Sequence, residues 1–337
     1  MLRVILVRLL GAIPVLLLVT LTIFGLMRLA PGDAADLLLP EDASEEEVAD
    51  ARARWGLDQP VWLQYANFLV NIARMDLGHS YRYQEEVFEL MAQRLPATLE
   101  LSFFALILAV SVAVPLGILA ALRKGKLSDS LVSVVAISGV SAPSFWIGIL
   151  LVLFISGQLN LLPSSGRMPF NVSVPSVTGF VTLDSLLSGR IDAFFTAIQH
   201  LLLPAITLAL AMIGIIARIT RSSIIDSGQE EYVFTAVAKG LPTGSIVRRH
   251  LLPNAAIPIT TIIGLELGVL ISGSIVVEVV FSWPGLGTLL FQAVSVRDIP
   301  LTTGIVVVYT MLFILLNLII DVVYILIDPR LRANRMG

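Results

Sequence analysis

The sequence predicts an all-α integral membrane protein with six transmembrane helices, and three observations carry that prediction. First, 56% of the 337 residues are hydrophobic and only 14% are charged, whereas a soluble domain carries about a quarter charged residues. Much of the surface must therefore face lipid. Second, six apolar stretches, at 9–29, 98–122, 130–157, 201–219, 257–281 and 301–327, are each long enough to cross about 30 Å of hydrocarbon as a helix of about twenty residues. Third, the Lys and Arg residues segregate to one side of those spans.

The first span follows Arg3 and Arg8 and has no charge from Leu9 to Leu26. That run is longer than the roughly 7–15-residue core of a cleaved signal peptide, so 1–29 reads as a retained N-terminal helix. Residues 30–97 read as an extracytoplasmic subdomain after the first helix. Ser44 and Glu47 have capping-box spacing for a short acidic helix, and Trp55, Trp62, Tyr65 and Phe68 supply packing material. Residues 98–327 hold five spans. The loop at 158–199 starts rich in Ser, Gly and Pro and becomes amphipathic from Leu183 to Ile198. Thirteen of the 22 basic residues fall before the first span, in 123–126, in 218–249 and in the tail 328–337. Six spans put these four regions on one side, so both termini are expected in the cytoplasm.

What is missing narrows the function. There is no cysteine, and the three histidines are scattered, so neither a thiol site nor a histidine-rich metal site is expected. A membrane enzyme would need a nucleophile–base or metal constellation that is absent. No phosphate loop is present, since Ala120 precedes Gly125-Lys126 where a glycine belongs and Leu127 follows. An ion-coupled secondary transporter of small solutes, the alternative class, would need several intramembrane ionisable groups and often an internal repeat. Here Glu266 is essentially the one mid-span charge.

The segment "EYVFTAVAKGLPTGSIVRRHLLPNAAIP" at 231–258 interrupts the apolar pattern. Glu231 to Lys239 has helical spacing, Gly240 suits a left-handed helix end, and Pro242 suits the start of a second helix from Thr243 to Leu252. Ile246, Val247 and Leu251 should pack on lipid or the spans, leaving Arg248 and Arg249 to reach headgroups or a partner. A tip of small residues, Thr235, Ala236, Ala238 and Gly240, suits another protein's groove. A plain interfacial connector is the competing reading of the same residues.

This segment resembles the EAA loop of ABC importer permeases, with Glu231, Ala236, Lys239, Gly240, Ile246, His250, Asn254 and Pro258 in matching places. "RLLGAIPVLLLVTLTIFGLMRLAPGD" (8–33), "RLPATLELS" (94–102), "SGVSAPSFWIGILL" (138–151), "HLLLPAITLAL" (200–210), "VVEVVFSWPGLGTLL" (276–290) and "DPRLR" (328–332) extend the likeness to the dipeptide/oligopeptide/nickel/glutathione permease family. The resemblance implies a type I ABC importer permease fold in the bacterial inner membrane. It implies no catalysis and no cofactor on this chain, a second homologous permease, an external solute-binding protein, and two cytoplasmic ATPase subunits that use ATP and Mg. Nothing points to nucleic acid.

The cytoplasmic loop 220–256 would then couple to the ATPase through Glu231, Tyr232, Thr235, Ala236, Lys239, Gly240, Leu241 and His250. Glu231 is expected to pair with Arg221 or Arg249. Ser141, Ser144 and Glu266 are candidates for the translocation pathway. Glu266, where the family carries Gln, is either a carboxylate that meets a substrate amine or a structural partner. Glu100, Glu278 and Asp321 read as structural, and "FSWPGLG" (281–287) as a scaffold or gate with an aromatic anchor.

Overall fold

The computed structural model describes residues 2–29, 35, 39, 40, 43–74, 76–130, 132, 134 and 142–327. Helices dominate them. They are α1 (Leu2–Leu29), α2 (Glu45–Arg54), α3 (Val61–Ala73), α4 (Val87–Leu122), α5 (Ser144–Leu151), α6 (Val181–Leu187), α7 (Ile191–Ser227), α8 (Glu231–Ala238), α9 (Thr243–Ile246), α10 (Leu252–Gly273), α11 (Ile275–Val280), α12 (Leu286–Ser295) and α13 (Ile299–Ile327). No strand occurs among the described residues beyond one isolated bridge between His79 and Glu86. Local chemistry sets several starts. Ser44 and Glu47 form the expected capping box at α2, and Pro143 and Pro242 precede α5 and α9.

Four helices are long and apolar enough to cross a membrane, and shorter apolar helices cover Ile13–Met27, Ser144–Gln158 and Leu286–Ser295. The span boundaries differ from the sequence expectation in instructive ways. The run expected at 98–122 is the end of the 36-residue α4, and that at 201–219 the middle of the 37-residue α7. Each is about 54 Å long at 1.5 Å per residue, because a helix continues past the hydrocarbon wherever packing still covers its backbone. The amphipathic stretch from Leu183 to Ile198 is divided between α6 and the first turns of α7. The span expected at 257–281 is interrupted after Gly273, and α11 follows as a separate piece. The expected third span lies partly outside the described residues.

The core of the bundle is the parallel pair α4 and α7. Ala105, Ala109, Ala113, Gly117 and Ala121 recur every fourth residue on α4, and all are buried. Buried Ala193, Ala197, Leu201, Ala205, Ala209 and Ala217 form the matching stripe on α7. Small residues at that spacing let two helix backbones approach closely without an intervening side-chain layer. A Cβ on Gly117 would stand 2.6 Å from the Ala217 carbonyl oxygen and 2.6 Å from Thr220 Cβ.

At the α4 N-terminal end, two buried carboxylates fasten the connections. Glu278 is fully buried and accepts from Thr98 Oγ1 (2.8 Å), Ser274 Oγ (3.0 Å) and the Thr288 amide (3.1 Å). Thr98 Oγ1 in turn accepts from the Leu286 amide at 2.8 Å, so one carboxylate ties α4 to the turn that launches α12. Gly285 packs directly on Glu278 and Thr98, with no room for a Cβ. Glu100 accepts from the Thr182 amide (2.8 Å) and hydroxyl (2.6 Å) and pairs with Arg167. Arg167 donates to the Gly179 carbonyl at 2.9 Å and lies 5.7 Å over the Trp283 ring. Trp283 Nε1 donates to the Ala97 carbonyl at 2.8 Å. Glu100 and Glu278 are structural, as expected, and Trp283 is the expected aromatic anchor.

Replacing Gly117 by Val should cost about 1–3 kcal/mol, typical for overpacking a tight contact, because its new atoms meet backbone on α7. Thermal unfolding of the purified protein in detergent should register this as a lowered Tm, larger than for the same substitution at Gly125, where nothing lies within 4 Å and only the φ of +76° is strained.

Candidate functional site

Residues 231–251 fold as two short helices around a left-handed glycine. At the end of α8 the Leu241 amide bonds to the Ala236 carbonyl (3.3 Å) and the Gly240 amide to the Val237 carbonyl (2.9 Å). These paired bonds form a Schellman ending, and Gly240 has the φ of +74° that it requires. A Cβ there would meet nothing within 4 Å, so the glycine is needed for its backbone angle and not for space. The second helix, α9, continues through a π-type turn, Val247–Leu251, directly into α10. Pro253 and Pro258 are absorbed within α10 without a break, so no separate re-entry point exists.

The inner face of this loop is rooted on the bundle. Val233 and Ala236 of α8 pack with Ile246 and Leu251, and beneath them lie Ala121 of α4, Ile224 of α7, and Ala255 and Ile259 of α10. The spans, not lipid, cover Ile246 and Leu251. Ala236, expected at an open tip, faces inward at 5% exposure, because it shares the helix side of Val233.

The loop exposes apolar side chains unexpectedly: Phe234 is 64% exposed and Val237 58%, Leu241 is exposed after the helix end, and Tyr232 is exposed on a different side of α8. Glu231, Lys239, Arg248 and Arg249 are exposed around this patch. Contiguous exposed apolar side chains with a polar rim mark an interaction surface. Tyr232 also lies 6.3 Å, ring to ring, from half-buried His250. Phe234 escapes the sequence reading because periodicity cannot separate a docking face from a lipid face this close to the spans. Its i,i+3 spacing with Val237, in a segment bounded by Gly240 and Pro242 and outside the spans, is the signal that would have found it.

Arg221 is not a partner of Glu231. It forms a bidentate pair with Asp129, Nε to Oδ1 at 2.5 Å and Nη2 to Oδ2 at 2.8 Å, and the Gly125 amide donates to the same carboxylate at 2.9 Å. No ion pair joins Glu231 to Arg249 among the described residues either. The Asp129–Arg221 fork ties the end of α7, six residues before the loop begins its turn at 227–230, to the connection that follows α4. The Arg221 hydrogen bonds, then the Gly125 amide, hold the Asp129 carboxyl down at about 2.

The described pathway candidates, Ser144 and Glu266, lie on different helices. Ser141 lies outside the described residues. Ser144 is the half-buried first residue of α5. Glu266 is half-buried on α10. Gly264 and Gly268 seat α10 against Ile320 and Phe313 of α13, and Glu266 points about 200° round the helix from Gly264, beside exposed Val269. Among the described residues no hydrogen bond or ion pair reaches the side chain of Ser144 or Glu266. No cluster of three or more metal-ligating side chains occurs among them either.

The described chain is thus a helical membrane protein whose 231–251 loop is packed onto three of its long helices. Residues 113–333 match the family described as the binding-protein-dependent transport system inner membrane component, and residues 1–102 match that family's N-terminal region. The chain belongs to this family and is the transmembrane permease subunit of an ATP-driven importer, not an ion-coupled carrier.

Among similar proteins, the probable D,D-dipeptide transport system permease protein DdpB of Escherichia coli (strain K12) is 42% identical over 91% of each chain. The dipeptide transport system permease protein DppB of the same strain is 39% identical over 99% of this chain and 100% of its own. A chain from the MetNI methionine ABC transporter, solved in inward facing conformations, is 17% identical with a TM-score of 0.53, covering 72% of this chain and 97% of that one. That likeness is one of fold, and it agrees with the importer-permease architecture expected from the sequence.

Because Asp129 titrates lower folded than at its ordinary value of 3.8, the fork's stabilisation is complete above about pH 4 and fades as pH falls through about 2. Asp129→Asn should therefore lower Tm by the same amount at about pH 5 and pH 8, with the difference from wild type shrinking only below about pH 4. Thermal unfolding in detergent across that range checks this.

Proposed function

We propose that this chain forms half of a translocation pathway for peptides in a bacterial inner membrane, and that the 231–251 loop couples it to a cytoplasmic ATPase. The single observation that carries the coupling role is the exposure of Phe234, Val237 and Leu241 on a loop whose inner face is packed into three spans. A connector with no partner would not hold large apolar side chains away from its own core. Peptides as the solute rest on the curated relatives, several of which are named as dipeptide permeases along nearly the whole chain.

In this assembly a second, homologous permease completes the pathway. Two separate ATPase subunits bind ATP and Mg, and an extracytoplasmic binding protein delivers the solute. The loop end of the bundle and both termini face the cytoplasm, and residues 30–97 emerge on the opposite side, with α3 folding back against α1. Nucleotide-driven movement of the ATPase pair pushes on the patch. Val233, Ala236, Ile246 and Leu251 pass that push to α4, α7 and α10, because packed side chains transmit displacement where a solvated loop would absorb it. Thr235, Lys239 and His250 border the patch. Ser141, Ser144 and Glu266 are assigned to the pathway face, with Glu266 meeting a cationic group of the solute.

The test compares Phe234→Asp and Gly240→Pro in the complex with its partner subunits. Phe234→Asp leaves the inner face intact, and loss of a central aromatic anchor typically costs about 2 kcal/mol or more, or about thirty-fold in affinity. ATPase co-purification and ATP-driven dipeptide uptake should both fall. Gly240→Pro cannot reach the observed φ and removes an amide donor, and should abolish both while the spans still insert. Unchanged assembly and uptake in both variants would reduce the loop to a connector.

A further inference from the structure

The uncharged helix α3 does not sit on the molecule as part of a water-exposed domain. Its 13 residues, VWLQYANFLVNIA, contain no Asp, Glu, Lys or Arg, and Trp62 is 71% exposed with Val61 and Val70 beside it in character. Its inner side packs on α1 well below the end of that helix. The Tyr65 hydroxyl donates to the Leu17 carbonyl at 3.1 Å and lies 3.0 Å from Thr20 Oγ1, and its ring is 5.3 Å from that of Phe24. Leu17 and Thr20 are near the middle of the apolar run bracketed by Arg8 and Arg28. A helix touching α1 there lies at hydrocarbon depth. Thirteen uncharged residues are too few to span, and with Gln64, Asn67 and Asn71 on one side and Leu69 and Ile72 on another they suit a segment embedded near the boundary of one leaflet.

Between α1, α3 and α13 this arrangement leaves a crevice of about 350 Å³. Leu17, Thr20, Leu69, Ile72, Val307 and Met311 are among its walls. The polar atom among these side chains is already engaged, since Thr20 Oγ1 donates to the Leu16 carbonyl at 2.8 Å. A cavity of that kind offers water no partners and takes up apolar molecules; an engineered apolar cavity of about 150 Å³ stays dry and binds benzene. Two of its three walls are spanning helices, and Ile13, Leu17 and Met311 at its margin are exposed, so it is continuous with the lipid-facing surface.

We infer that the crevice between α1, α3 and α13 is a binding site for one acyl chain of a membrane phospholipid. The phospholipid comes from the leaflet farther from the coupling loop. The chain fills the space beneath α3, and its displacement would loosen α3 from α1. The site is independent of which solute the permease carries.

The experiment uses the assembled complex in nanodiscs of phosphatidylethanolamine and phosphatidylglycerol doped with a phospholipid that bears a diazirine on one acyl chain. After a chase with undoped lipid, the sample is photolysed and the labelled peptides are mapped. Label should persist on peptides containing 13–20, 69–73 and 307–311, while label at Ile107, an exposed position on α4, is lost in the chase. Ala73→Trp, at the crevice, should abolish the persistent label in assembled complex. Leu69→Phe, a smaller change, should reduce it if Ala73→Trp does not assemble. Loss of label from the crevice as fast as from Ile107 would overturn the proposal. So would persistent crosslinks from crevice positions to the second permease subunit, which would make the crevice an inter-subunit contact.

Discussion

The close parallel approach of α4 and α7 is the constraint from which the rest of the molecule follows. Lipid supplies no hydrophobic drive for one apolar helix to seek another, so the pair is held by contact area and by backbones brought near each other. Small residues every fourth position on α4, and at most of the facing positions on α7, make that contact, with Gly117 at its tightest point. Because both helices run far beyond the hydrocarbon, the seam delivers rigid platforms at both ends. At one end Ala97, Thr98 and Glu100 receive Trp283, Glu278 and Arg167. At the other, Ala121 and Ile224 form the floor under the 231–251 loop.

The buried charges follow one logic: each is spent on fastening. Glu278 organises the break between α10 and α12, Glu100 and Arg167 pin the 162–182 connection, and Asp298 accepts from Ser80 Oγ and the amides of Arg82 and Leu301 at the start of α13. Asp129 and Arg221 do the same beside the coupling loop. An isolated charge in a membrane protein signals a solute or proton path. Here Glu266 is the half-buried carboxylate within a described span that has no such partner, so it stands apart from the fasteners.

The helix–turn–helix of the coupling loop was legible because Gly240 and Pro242 punctuate it with specific backbone demands. The capping box at Ser44 and Glu47 was legible for the same reason. The length of α4 and α7 was not, since an apolar window detects hydrocarbon crossing and is blind to helix shielded by protein. Nor was α12, whose ten residues look like loop between two spans until Leu286 and Leu289 are seen buried against Leu301 and Ile305. The Asp129–Arg221 fork joins residues 92 positions apart, and no local pattern predicts a pair at that separation. Phe234 was hidden by its surroundings, because an i,i+3 apolar pair this close to the spans reads equally well as a lipid-facing or a docking side.

The central claim is that the loop is a rigid extension of the α4–α7 seam. The chain has no native cysteine, so spin labels on Thr235→Cys and Ser222→Cys, both exposed, report the loop against the end of α7 without background. In the assembled transporter the distance distribution between these labels should be narrow and identical in nucleotide-free and ATP-bound states. A shift or broadening of that distance when ATP binds would show that the loop flexes on its root, contradicting transmission through the packed seam.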